Sequence, residues 1–202
     1  MTIVASGSVA GFFREVVEEA IKSQRVPAND GTTSYVVSLL ADYAKPDPQA
    51  EAALDRPLTL LLDEALHTPG TSERFQRLRM LGDGVLYTTG FFGDHFEARG
   101  VDQKYVVGIG VTAYHAASTL LGPGAEDRSA PRLDVLGELA STFERWVNVL
   151  SEVADATIGR PTGDSRGLLK AYERWLKTGS SKLAEELTHH GLVPMRHAKG
   201  VQ

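Results

Sequence analysis

The sequence predicts an all-α protein: a compact single-domain bundle of about seven helices with a buried central helix near residues 103–121. Three observations carry this. Apolar residues recur at spacings of three and four in segment after segment, while no run of alternating strands appears. The stretch from Tyr105 to Leu121 has no formal charge, which suits a helix enclosed by its neighbours. The connections are short and rich in Pro and Gly, and no long polar linker divides the chain. Residues 1–194 therefore read as one domain, with 195–202 as a frayed tail.

The elements follow in order. Ser8 stands ahead of a segment in which Phe13, Val16, Val17, Ala20 and Ile21 share one helical face. A loop, RVPANDGTT, precedes SYVVSLLADYA. Tyr35, Val36 and Val37 favour a sheet there, but Val36, Leu39, Leu40 and Tyr43 fit a helix, and the helix is preferred. After a proline-rich loop, Pro57 sits at the favoured first position of a third helix, which runs to Thr68-Pro69-Gly70. Thr71 or Ser72 opens a long fourth helix. Its seam is Phe75, Leu78, Gly82, Val85, Thr89, Phe92 and Phe96. Asp102 caps the central fifth helix. Pro131 begins a sixth, with Leu136, Leu139, Phe143, Val147, Leu150 and Ala154 on one face. The last segment turns Leu169, Tyr172, Leu176, Leu183 and Leu187 inward. Gly179-Ser180-Ser181 is placed to bend or break it, and Gly191 ends it. Trp146 and Trp175 read as core or interface anchors.

Within the central helix, Gly108-Ile109-Gly110-Val111-Thr112-Ala113 spells G-x-G-x-x-A, a form of the dinucleotide fingerprint. That motif needs a parallel strand before it and a second strand after it. Here a Pro- and Gly-flanked loop and another helix follow, so the glycines are assigned to close packing of helices four and five instead. Gly82, Gly84, Gly90 and Gly93 on helix four match Gly108, Gly110, Ala113, Ala116 and Ala117 on helix five. Each glycine costs about 1 kcal/mol of helix propensity, which close packing offsets.

Composition narrows the function. The chain has 202 residues, 26 acidic against 21 basic, a net charge of −5 and no cysteine. Cysteine chemistry and disulfides are excluded, and a reducing, cytoplasmic setting is expected. No concentrated basic face for nucleic acid is visible. The central helix, at roughly 25 Å, falls short of a bilayer core, and the amino terminus has no basic region of the signal-peptide kind. Motifs for nucleophilic catalysis or phosphate cradling are missing.

Two candidate sites remain. Asp83, Tyr87, Gly90 and Asp94 align on one face of helix four, with His95 adjacent; Tyr105, Tyr114 and His115 offer polar tips from helix five. These groups suit orientation of a small ligand or acid–base work. Asp83, between two glycines, is least explained by packing, and its expected donors are Tyr105, Tyr114 or His115. The second candidate is a pair of Glu-x-x-His motifs, Glu64 with His67 and Glu186 with His189, the spacing of helical di-metal sites. Both histidines also stand in last turns, where the helix dipole favours them, and capping is the preferred reading. The sequence thus implies no cofactor, no nucleic acid and no membrane. It points to a non-catalytic regulatory or adaptor protein that meets a protein partner through helical surfaces, with room for a small-molecule ligand between helices four and five. The rival reading is a helical enzyme or sensor with a cofactor or metal near Asp83–His115.

Overall fold

The computed structural model describes residues 8–44, 56–98, 100–121, 134–157, 165–178 and 181–195. Among them every regular element is a helix: α1 (Val9–Gln24), α2 (Asp30–Tyr43), α3 (Leu58–Leu66), α4 (Thr71–Ala98), α5 (Gln103–Leu120), α6 (Val135–Ser141), α7 (Phe143–Thr157), α8 (Ser165–Thr178) and α9 (Ser181–His189). The all-α expectation holds. Predicted features at 1–7, in the Pro-rich loop 45–55, in the loop 122–133 and in the tail 196–202 lie outside the described residues.

Side-chain caps set most of the described starts. Ser8 accepts from the Gly11 N–H, Asn29 from Thr32 and Asp102 from Lys104. Asn29 moves the start of α2 ahead of the predicted one, because its cap draws Asp30 to Thr33 into the first turn. Pro57 stands just before α3 rather than inside it. The predicted helix beginning at Pro131 is two helices. Asp134 caps α6 by accepting from Gly137, and Thr142 (φ −121, ψ 23) leaves helical geometry before α7 begins. The last segment is two helices, α8 and α9, in keeping with the expected bend or break at Gly179-Ser180-Ser181, of which residues 179–180 lie outside the described residues.

Helices α4 and α5 form an antiparallel hairpin whose turn uses Gly100 at φ 70, a left-handed position where a side chain is costly. Around this pair α3, α6 and α7 pack, and α1 lies against α2 and α7. Leu78, Val85, Leu86, Val106, Ala113, Tyr114, Trp146 and Leu150 fill the centre. A smaller cluster, Ala171, Trp175, Leu183 and Leu187, holds α8 to α9.

The glycines divide sharply. A Cβ on Gly82 would lie 2.5 Å from the Tyr114 ring. One on Gly90 would lie 2.4 Å from Leu150 Cβ, and one on Gly110 would lie 2.4 Å from Phe143 and 2.8 Å from Val85. Gly82 against Tyr114 and Gly110 against Val85 are the expected contacts between α4 and α5, whereas Gly90 and the Phe143 side of Gly110 make room for α7. Gly108 is a correction: it faces open space, because it belongs to the stripe Tyr105, Gly108, Thr112, His115 and Thr119 that α5 turns to water. The predicted α4 seam holds through Leu78, Gly82, Val85 and Thr89, which are buried. It fails at Phe92, where φ −127 and ψ 30 break the helix and the ring is 46% exposed. Kinks at such glycine-flanked positions are expected; Gly90 and Gly93 lie on either side.

Candidate functional site

Asp83 sits on α4 one turn after Arg79 and one turn before Tyr87. Its Oδ1 accepts two hydroxyl hydrogen bonds, from Tyr35 on α2 at 2.6 Å and from Tyr114 on α5 at 2.7 Å. One carboxylate oxygen thus joins three helices. Gly82 makes this geometry available, since any side chain there would displace the Tyr114 ring. Tyr114 is 0% exposed, so its hydroxyl has no water to turn to, and the carboxylate satisfies a donor that burial would otherwise leave costly.

The electrostatics follow from burial. Desolvation pushes the Asp83 carboxyl above its ordinary range, while the two tyrosine hydroxyls and the Arg79 charge pull it back. The phenols are raised in turn. Burial first, then the Asp83 charge, holds Tyr35 and Tyr114 far above the usual phenol value, and Tyr43 is pushed up to about 12 by the same causes. At neutral pH the phenols keep their protons, and two of them donate to Oδ1. The arrangement is a hydrogen-bonded clamp.

Aromatic rings continue the site outward. Tyr43 stacks on Tyr87 at 4.4 Å between centroids, Tyr87 on Phe91 at 4.9 Å, and Phe92 stands edge-on to Tyr87 at 5.8 Å. The Tyr35, Leu39, Tyr43 stripe of α2 faces Arg79, Asp83 and Tyr87 of α4. The two backbones scarcely approach one another, so side chains span the interval.

The predicted residues therefore scatter. Asp83, Tyr87 and Tyr114 come together. Tyr105 and His115 lie on the exposed stripe of α5 and give Asp83 no hydrogen bond. The side chains of Asp94 and His95 lie outside the described residues. Tyr35, Tyr43 and Arg79 were not anticipated. The signal for the two tyrosines was their i, i+8 spacing, which puts both phenols on one helical face; Arg79 had none.

Glu64 and His67 have other partners. Arg56 grips the Glu64 carboxylate, one nitrogen at 3.1 Å, and lowers its pKa. His67 Nδ1 lies 2.9 Å from the carbonyl oxygen of Asp63 in the last turn of α3. Glu186 and His189 belong to α9. Among the described residues no three His, Asp or Glu side chains group closely enough to hold an ion, and no helix is long and apolar enough to cross a membrane.

A second polar clasp fixes the corner between α1 and α2. Glu138 on α6 accepts from the Asn29 backbone N–H at 3.2 Å, from the Asn29 side-chain amide, and from the Thr32 hydroxyl at 2.9 Å. Gln24 donates to the buried Glu152 of α7 at 2.7 Å.

Set beside protein families, curated proteins and solved structures, the chain finds no match.

Proposed function

We propose that this chain is a non-catalytic cytoplasmic regulatory or adaptor protein that meets a protein partner through the aromatic ladder of α2 and α4. The observation that supports this reading is Phe92. Helix α4 gives up helical geometry at this residue, and its ring stands 46% exposed at the end of the row Tyr43, Tyr87, Phe91. An aromatic side chain set partly in water gains most of its burial energy only when another surface covers it, and aromatic residues are enriched among interface anchors. The buried polar groups of the clamp are meanwhile engaged with one another, which favours a holding role for them over proton transfer.

The test is site-specific crosslinking in cells. A photo-reactive phenylalanine in place of Phe92 should give a discrete protein adduct, weakened by Tyr87→Ala. The same reagent in place of Glu144, exposed on α7, should give none. Equal labelling at both positions, or no adduct at Phe92, overturns the reading.

A further inference from the structure

Arg79 makes no hydrogen bond and no ion pair with any described residue, yet its Nε is buried. The side chain as a whole is half-buried, and a guanidinium N–H withdrawn from water without an acceptor is costly. The obvious acceptor is Asp83, one turn on. Elsewhere the same spacing closes: Arg77 meets Glu73 at 2.8 Å and Arg14 meets Glu18 at 3.6 Å. Arg79 and Asp83 stay apart because Tyr35 and Tyr114 hold the carboxylate toward the helices they come from. A half-buried cation and a half-buried anion therefore stand side by side, about 5–6 Å apart at their Cβ atoms, without joining.

Their remaining capacity is specific. Arg79 offers its Nε–H and a planar fork of donors, which matches two carboxylate oxygens. Asp83 has Oδ1 filled by two hydroxyls, and a carboxylate accepts about four hydrogen bonds, so it can still take a donor. A simple anion on Arg79 would be repelled by Asp83, and a simple cation on Asp83 by Arg79. A molecule carrying both charges on adjacent atoms satisfies both. The stacked rings of Tyr43 and Tyr87 stand next along the same seam.

We propose that the seam between α2 and α4 binds a zwitterionic α-amino acid, with its carboxylate on the Arg79 guanidinium, its ammonium on Asp83 and its side chain against Tyr43 and Tyr87. The ligand would complete the ion pair that the two tyrosines keep open. This site shares Tyr43 and Tyr87 with the proposed docking ladder but does not use Phe92, so it stands when docking is removed by Phe92→Ala.

Thermal-shift and calorimetric titration of the purified full chain against the standard free L-amino acids tests it. At least one amino acid, with an aromatic or long aliphatic side chain, should bind. Its N-acetyl derivative, which lacks the ammonium, and its amide, which lacks the carboxylate, should each bind at least about tenfold more weakly, a loss of about 1.4 kcal/mol or more. Arg79→Gln should abolish binding while leaving the free protein folded, since the guanidinium makes no hydrogen bond and loses only its charge attraction to Asp83. Arg79→Lys keeps the charge, removes the fork and should weaken binding. No binding by any free amino acid at millimolar concentration overturns the proposal. So does equal binding by the N-acetyl and amide derivatives, or binding that survives Arg79→Gln.

Discussion

Toward α5 and α7, helix α4 presents Gly82 and Gly90, and the Tyr114 ring and Leu150 lie directly on its backbone. Toward α2 it presents Arg79, Asp83 and Tyr87, and two tyrosines reach across to it. The glycine side gives up side chains so that large neighbours can be buried. The tyrosine side keeps its helices apart and fills the interval with polar and aromatic groups. Close apolar packing leaves no room for a visitor, whereas a bridged interval holds groups whose capacity is unfilled. Position along a helix says little about function; what its neighbour sends across says more.

The comparison breaks most readily on the glycine side. Gly90→Leu should cost about 3 kcal/mol in denaturant unfolding, the upper end of overpacking, because its Cβ meets the Leu150 Cβ rather than the end of a flexible chain. A loss under about 1 kcal/mol would show that α4 and α7 are not in close contact. On the clamp, Tyr114→Phe should cost about 2 kcal/mol, in the range for hydrogen bonds to a charged group. Tyr35→Phe should cost less, since Tyr35 is only partly buried. Equal, negligible losses would mean that the hydroxyls reach water instead.

Acidity sharpens the same point. The folded carboxyl of Asp83 lies above 3.8, so the native state holds a proton where the unfolded chain has released it. Its stabilising effect is complete below pH 3.8 and is lost as pH rises through the folded value. Unfolding of wild type and Asp83→Asn across that window should therefore show wild type losing ground to the variant as pH rises. The opposite slope would mean that the hydrogen bonds outweigh desolvation. The smallest effect belongs to Gly108. Gly108→Ala should raise stability by no more than about 1 kcal/mol, the propensity difference alone, because nothing stands near its Cβ position.

Helical periodicity revealed the helices, and Ser8, Asp102 and the Gly191 stop marked ends correctly, because caps and spacing are local. The glycines of α4 were legible for the same reason at Gly82 and Gly90. Gly108 and Gly110 look alike in sequence, yet only Gly110 meets Phe143; which side of α5 faces inward depends on neighbours that a local pattern cannot weigh. Asp83 stood out between its glycines, and Tyr114 was among its expected donors. Tyr35 was not, because α2 and α4 are distant in sequence and their backbones scarcely approach. Arg79 was not singled out by the sequence at all. Its unusual state arises from what the tyrosines do to Asp83, a tertiary effect with no sequence signature.

The central claim is that one oxygen of Asp83 receives both tyrosine hydroxyls and so couples α2 to α5 through α4. A double-mutant cycle of Tyr35→Phe and Tyr114→Phe, measured by equilibrium unfolding at neutral pH, addresses it directly. Groups that share one acceptor interact, so the double variant should differ from the sum of the singles by at least about 0.5 kcal/mol. Additivity within about 0.3 kcal/mol, the behaviour of independent sites, would contradict the shared clamp.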